Sequence, residues 1–188
     1  MSPNSIHTIM STSSDPSLFQ IARIVRLTIA SPALILDVLE GLRSKEIKVA
    51  MYCAEALEKI SRAKAQLLSG YETEILVNLS VSTWSEVRGP LALIVPRLTL
   101  TDALKNNAIK VLFDFLNDES TILRERVYSA LAQVSATDVG VMEKMVPLLT
   151  SRLALSDQAE RIKAKNLLAL ISASPGSLRR GIQEPVQQ

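Results

Sequence analysis

The chain has 188 residues, of which 47% are hydrophobic, 21% charged and 4% aromatic, a composition that excludes disorder for its bulk and suits one soluble domain. A net charge of +2, from 21 basic and 19 acidic side chains, lacks the basic surplus that marks a nucleic-acid groove. One cysteine, Cys53, cannot form an internal disulfide, and one histidine, His7, leaves His-based metal sites and Ser-His-Asp arrangements without their central part.

Residues 1–15 have neither the basic start nor the continuous apolar stretch of a secretory signal and read as a flexible tail. Asp15-Pro16 then opens a leading helix over about Pro16 to Ala30, with proline at the first helical position. The stretch from Phe19 to Leu39 is interrupted by Arg23, Arg26 and Asp37, well short of the roughly 20 apolar residues of a bilayer span. With no export signal and an unpaired thiol, a cytoplasmic location is expected.

From residue 31 onward the chain alternates first helices, A, with second helices, B. Ser31-Pro32 opens A1, whose apolar stretch is Ala33 to Leu42, and Ser44 precedes B1. Ile75 to Leu79 forms A2, with Glu72 and Glu74 near its start, where carboxylates meet the helix dipole favourably. Thr83-Trp84-Ser85-Glu86 reads as a capping box for B2. A3 covers Leu104 to Leu116, and Asp118 stands ahead of B3. A4 covers Val139 to Leu155, and Asp157-Gln158-Ala159-Glu160 opens B4. Pro90 and Pro96 fall inside B2 and Pro147 inside A4, which predicts kinked helices, the first eased by Gly89. Residues 174–188 read as a second flexible tail, where Arg179-Arg180 supplies the basic surplus.

The four B helices are repeats of one another. Their closing residues Ile60, Leu98, Val134 and Ile171 are 36 to 38 residues apart, a two-helix period. Counting back from closure, the third residue is Leu57, Val95, Leu131 or Leu168, the fourth Ala56, Ile94, Ala130 or Leu167, and the seventh Cys53, Leu91, Val127 or Ala164. Offsets of 0, 3, 4 and 7 define one helix face, and this face is the predicted core. Eleven back, the column reads Val49, Val87, Leu123 and Glu160, so the stripe fails only in the last repeat, as a repeat without a successor would.

The segment Asp118-Glu119-Ser120-Thr121-Ile122-Leu123-Arg124 resembles the inter-helix signature of HEAT repeats, as do Ser85-Glu86-Val87-Arg88 and Asp157-Gln158-Ala159-Glu160-Arg161. The resemblance covers about Pro16 to Ser172. In detail the chain is similar to a group of small HEAT-repeat proteins, chiefly bacterial and functionally unassigned. It implies an all-α, right-handed α-solenoid of four helix pairs plus the leading helix, over residues 16–173, with a scaffolding or binding role and no chemistry. In that family an arginine ten residues before closure braces the inter-helix turns. Here the column reads Ala50, Arg88, Arg124 and Arg161, and the missing first arginine fits a junction with the leading helix.

Candidate chemistry is sparse. Cys53 occupies a core column, where a thiol is inert rather than nucleophilic, and the six glycines are too scattered for a phosphate loop. No catalytic, cofactor or metal site is predicted. In a HEAT stack the B helices line the concave side, so residues eight and five before closure face a partner: Tyr52, Pro90, Arg126 and Lys163, then Glu55, Leu93, Ser129 and Asn166. Tyr52, Glu55, Leu93, Arg126, Lys163 and Asn166 are the candidate partner-binding residues, with an apolar patch at Pro90 and Leu93. The expected partner is another protein; specific nucleic-acid binding and membrane insertion are not expected, and no oligomeric state is specified. Two other readings compete. A HEAT-fold nucleic-acid enzyme resembling alkylpurine DNA glycosylases would need a basic, aromatic-lined groove, and a lyase or chaperone like the HEAT-like bilin lyases shares only the repeat.

Overall fold

The computed structural model describes residues 17–155 and 157–173. The two tails, with His7 and Arg179-Arg180, lie outside the described residues. The described elements are all helical, and none is long and apolar enough to cross a membrane. A leading helix α1 (Ser17–Ala30) is followed by α2 (Ile35–Gly41) and α3 (Ile47–Lys64), the first A and B helices. The second pair is α4 (Glu72–Val81) and α5 (Ser85–Ile94), and the third α6 (Asp102–Asp114) and α7 (Thr121–Ser135). The last is α8 (Val139–Arg152) and α9 (Gln158–Ser172). The chain divides into two compact units between Val127 and Tyr128, inside α7.

In the first unit α3 is the central element, and α1, α2 and α5 all pack on it. The core is the face that the repeat columns define. Ile60, Leu57, Ala56 and Cys53 of α3 are fully buried, as are Leu91 and Ile94 of α5. Each large aliphatic side chain taken out of water in this way stabilises the fold by about 1.5 to 3 kcal/mol. From the A helices, Ile35, Leu39, Ile75, Leu79 and Leu112 complete the same interior. At Gly41 in α2 the backbone comes so close to α3 that a Cβ would overlap Cys53 Sγ, so glycine is required there by packing. In the second unit α8 pairs with α9 through Val141, Met142, Met145 and Leu149 on one helix and Ala164 and Ile171 on the other.

Several local expectations need correction. Pro96 does not kink B2; α5 ends at Ile94 and Pro96 falls in a 3-10 turn, Val95–Arg97, so its missing N–H costs no α-helical bond. Leu98 therefore leaves the helix and is only half-buried. Pro90 and Pro147 do sit inside α5 and α8. The capping box at Thr83 does not form: Trp84 takes the N-cap position with no side-chain bond, and Ser85 Oγ donates to Glu86 instead. A1 opens with a 3-10 turn, Pro32–Leu34, and Ser31 supplies no cap bond. Ser44 and Asp118 act two residues ahead of the N-cap positions. Ser44 Oγ accepts from Glu46 N (3.1 Å) and Asp118 Oδ1 from Ser120 N (2.8 Å), while Ser120 Oγ caps α7 through Leu123 N (3.3 Å). Asp157 is a true N-cap, accepting from Ala159 N (2.7 Å) and Glu160 N (3.2 Å). Asp138 does the same for α8 through Val141 N (3.0 Å).

Candidate functional site

The arginine column braces turns, as the repeat pattern implies. Arg88 Nε donates to the Ser82 carbonyl in the turn before its own helix, and Arg88 Nη1 pairs with Asp118 in the turn of the following repeat at 3.2 Å. Its guanidinium also lies over the Phe115 ring, 4.8 Å from the centroid. Arg124 Nη1 donates to the carbonyls of Asp118 (2.5 Å) and Glu119 (2.9 Å). At the first repeat Ala50 is fully buried on the helix against which α1 packs, leaving no room for an arginine. Arg161, in the last repeat, is exposed.

Of the six predicted partner-binding residues, Tyr52 and Glu55 stand half-buried on α3, Leu93 half-buried on α5 and Arg126 half-buried on α7. Lys163 and Asn166 are exposed on α9, in the second unit. The structure brings two of the six together: Arg126 Nη2 and Glu55 Oε1 form an ion pair at 2.8 Å. The pair joins B1 to B3 across B2, and what permits the crossing is Gly89 on α5. A Cβ at Gly89 would stand 2.8 Å from Arg126 Cδ, closer than carbon atoms approach without displacement. Pro90, expected on the outward row, is buried. Beside it the stem of Arg126 runs over Gly89, filling the place of an outward side chain, so the apolar patch reduces to Leu93.

A second set of polar residues, not singled out by sequence, lies at the other end of the same helices. Glu58, 5% exposed, accepts from Arg97 Nη1 at 3.0 Å and from Arg62 Nε at 2.5 Å. Arg97 Nη1 also donates to Ser61 Oγ at 2.8 Å. Two guanidiniums thus satisfy one buried carboxylate, which unpaired would be costly. The signal was present: Glu58 is two residues before closure and Arg97 one, so opposite charges occupy adjoining positions of consecutive repeats.

Cys53 is fully buried, and burial pushes its thiol up to about 12 from an ordinary value of 9.0. Thiolate, the reactive form, is thereby suppressed at neutral pH. On the A side, an open apolar groove of about 190 Å³ runs between α4 and α6, lined by Leu76, Val77, Ser80, Leu104, Asn107 and Val111 among others. Among the described residues no group of three or more His, Cys, Asp or Glu is placed to hold a metal.

No family model matches the sequence, and no curated protein matches it. Solved structures do. An engineered protein superimposes with a TM-score of 0.58 at 19% identity, covering 95% of this chain and 84% of that one. A second engineered protein gives 0.56 at 16% identity, over 91% of this chain and 48% of its own. A designed armadillo repeat protein, solved in complex with the peptide (KR)4, gives 0.52 at 11% identity, over 88% and 80%. The fold is a HEAT/armadillo-like helical repeat of the all-α solenoid class.

Proposed function

We propose that the protein is a non-catalytic interaction module that binds another protein on its B-helix face. The observation that carries this reading is one stripe of α3. Lys48, Tyr52, Glu55, Lys59 and Arg62 follow one another at spacings of four and three residues, which places them on one side of a helix. None of the five is fully buried, and Leu93 stands half-buried on the adjacent α5. An apolar residue and a tyrosine among charged neighbours match an interface centre and its rim. The repeat fold supports the reading, as does the designed neighbour with its bound peptide. On α9, in the second unit, Lys163 and Asn166 are exposed and are proposed as partner-binding residues of that unit by itself. We propose a cytoplasmic location with it, which the unpaired, buried thiol of Cys53 supports.

Photo-crosslinking tests this. A benzoylphenylalanine introduced at Tyr52 or Leu93 should capture a partner protein, while the same group at Val77 or Val81 on α4 should not. Capture from α4 alone would move the binding surface to the A-side groove. Duplex DNA should bind only non-specifically, with Kd of about 10⁻⁴ to 10⁻⁶ M near physiological salt; nanomolar, sequence-dependent binding would favour the glycosylase-like reading.

A further inference from the structure

The chain as a whole is nearly neutral, but its charge is not evenly spread over the B face of the first unit. The row contains Lys48, Lys59 and Arg62 on α3, Arg97 just after α5, and Arg126 on α7. Against these five cations stand Glu55, Glu58 and, at the start of α5, Glu86. Glu58 is shared between Arg62 and Arg97 and Glu55 is taken by Arg126. Lys48 and Lys59 are exposed, and no carboxylate pairs with either among the described residues. The local excess is positive, and it surrounds the half-exposed Tyr52 and Leu93.

Arg126 is the cation best placed to receive a ligand. Its stem passes over Gly89, where a Cβ would stand 2.8 Å from Arg126 Cδ, so its guanidinium crosses α5 and reaches the α3 row at Glu55. Its side chain is nevertheless 31% exposed, and Glu55 opposite is 24% exposed. An ion pair this open is only weakly stabilising, so an incoming carboxylate can replace Glu55 at small cost. Guanidinium groups present several parallel donors and bind carboxylates in fork geometry.

We propose that this face takes an acidic, extended segment of a partner protein, with one carboxylate of the segment exchanging with Glu55 on Arg126, others reaching Lys48 and Lys59, and an apolar side chain resting on Leu93. Glu55 is then an internal competitor that sets a threshold for binding. The proposal rests on the B-face reading above and adds the chemical class of the partner. An acidic peptide fits better than a nucleic acid, because Glu55 and Glu86 interrupt the row and Tyr52 is its single aromatic residue. The preference is opposite in sign to what the designed neighbour holds, a peptide of lysines and arginines.

Fluorescence anisotropy at low salt, where surface charges are least screened, tests it. The probes are a labelled eight-residue peptide of alternating Glu and Leu, its Gln-Leu and Lys-Leu counterparts, and a 12-nucleotide single-stranded DNA. The acidic peptide should bind about tenfold more tightly than each of the others, and Lys48→Glu with Lys59→Glu should remove about that factor. Glu55→Gln, which frees Arg126 while keeping shape, should strengthen acidic-peptide binding by about threefold. Unchanged or weaker binding by Glu55→Gln would overturn the exchange, and so would tighter binding of the oligonucleotide or failure of every peptide. If the neutral or basic peptide wins and Leu93→Asp abolishes its binding, the acidic class fails while the B-face reading stands. Acidic-peptide binding that survives Leu93→Asp and both lysine reversals would overturn both. Circular dichroism confirms that each variant is folded.

Discussion

Helices α3 and α9 carry the same repeat columns, yet nine residues of α3 are buried and only two of α9. Four positions make the contrast. Leu57 and Ala56 of α3 are fully buried, whereas their counterparts Leu168 and Leu167 of α9 are half-exposed. Six residues before closure, fully buried Ala54 corresponds to exposed Lys165; two before closure, buried Glu58 corresponds to exposed Ala169. The face that meets a successor is built for contact in α3, where Glu58 reaches Arg97 in the 3-10 turn that follows α5. No described element covers that face of α9. A column in a repeat protein is therefore core only where neighbours close it from both sides, and hydrophobicity alone does not say which.

The largest expected effect breaks or upholds this contrast directly. Leu57→Ala should destabilise the protein by about 2 to 5 kcal/mol through lost burial and a residual cavity. The equivalent Leu168→Ala, removing atoms already half in water, should cost about 1 kcal/mol. Denaturant midpoints of the two variants measure the difference. Equal shifts would show that α9 is as enclosed as α3.

Next in size is the buried ion cluster of the first unit, in which Arg62 and Arg97 share Glu58. Glu58→Met leaves Arg97, itself 20% exposed in its side chain, without its buried partner, and about 3 kcal/mol of stability should go with it. Adding Arg97→Met should recover most of that loss, since an apolar pair of similar volume carries no unpaired charge. A double variant as unstable as the single one would show that the cluster acts through geometry rather than charge.

Cys53 gives a pH-dependent view of the same enclosed helix. Its folded thiol titrates near 12 and its unfolded thiol near 9.0, so the native state retains the proton between these values while the unfolded state loses it. Stability is then complete below pH 9 and falls as pH rises, by about 1.4 kcal/mol per pH unit in that window. Urea unfolding at pH 8 and pH 10 should differ accordingly in wild type, and Cys53→Ala should remove the thiol's share of the slope. Iodoacetamide at pH 8 should modify the unfolded chain and spare the folded one.

Much of the fold was legible because it depends on local spacing. The faces ending at Ile60 and Val134 are buried as the three-and-four periodicity requires, whereas on the one ending at Ile171 only Ala164 and Ile171 are, and Asp157 caps the helix it precedes. Leu98 departed because Pro96 ended α5 early, a competition between proline chemistry and periodicity that a column alignment does not weigh. The candidate site was legible as a row but not as a geometry. Glu55 and Arg126 are 71 positions apart in the chain, and their meeting depends on the missing side chain of Gly89 in a third helix. Sequence periodicity places each residue on its face; it does not reveal which neighbour is small enough to be crossed.

The smallest expected effect concerns Lys165, and it bears most directly on what separates the two helices. The position six before closure is alanine in the first two repeats, with Ala54 and Ala92 fully buried. An ammonium there would be desolvated without a partner, which is among the costliest changes a core can suffer. In α9 the same position is an exposed lysine, so Lys165→Ala removes a solvated charge and leaves no cavity. Its effect on stability should stay within about 0.5 kcal/mol, with a slight gain possible from the better helix propensity of alanine. If instead Lys165→Ala destabilises the chain by several times the expected amount, that face of α9 is not open to solvent, and the distinction between an enclosed and an open B helix disappears.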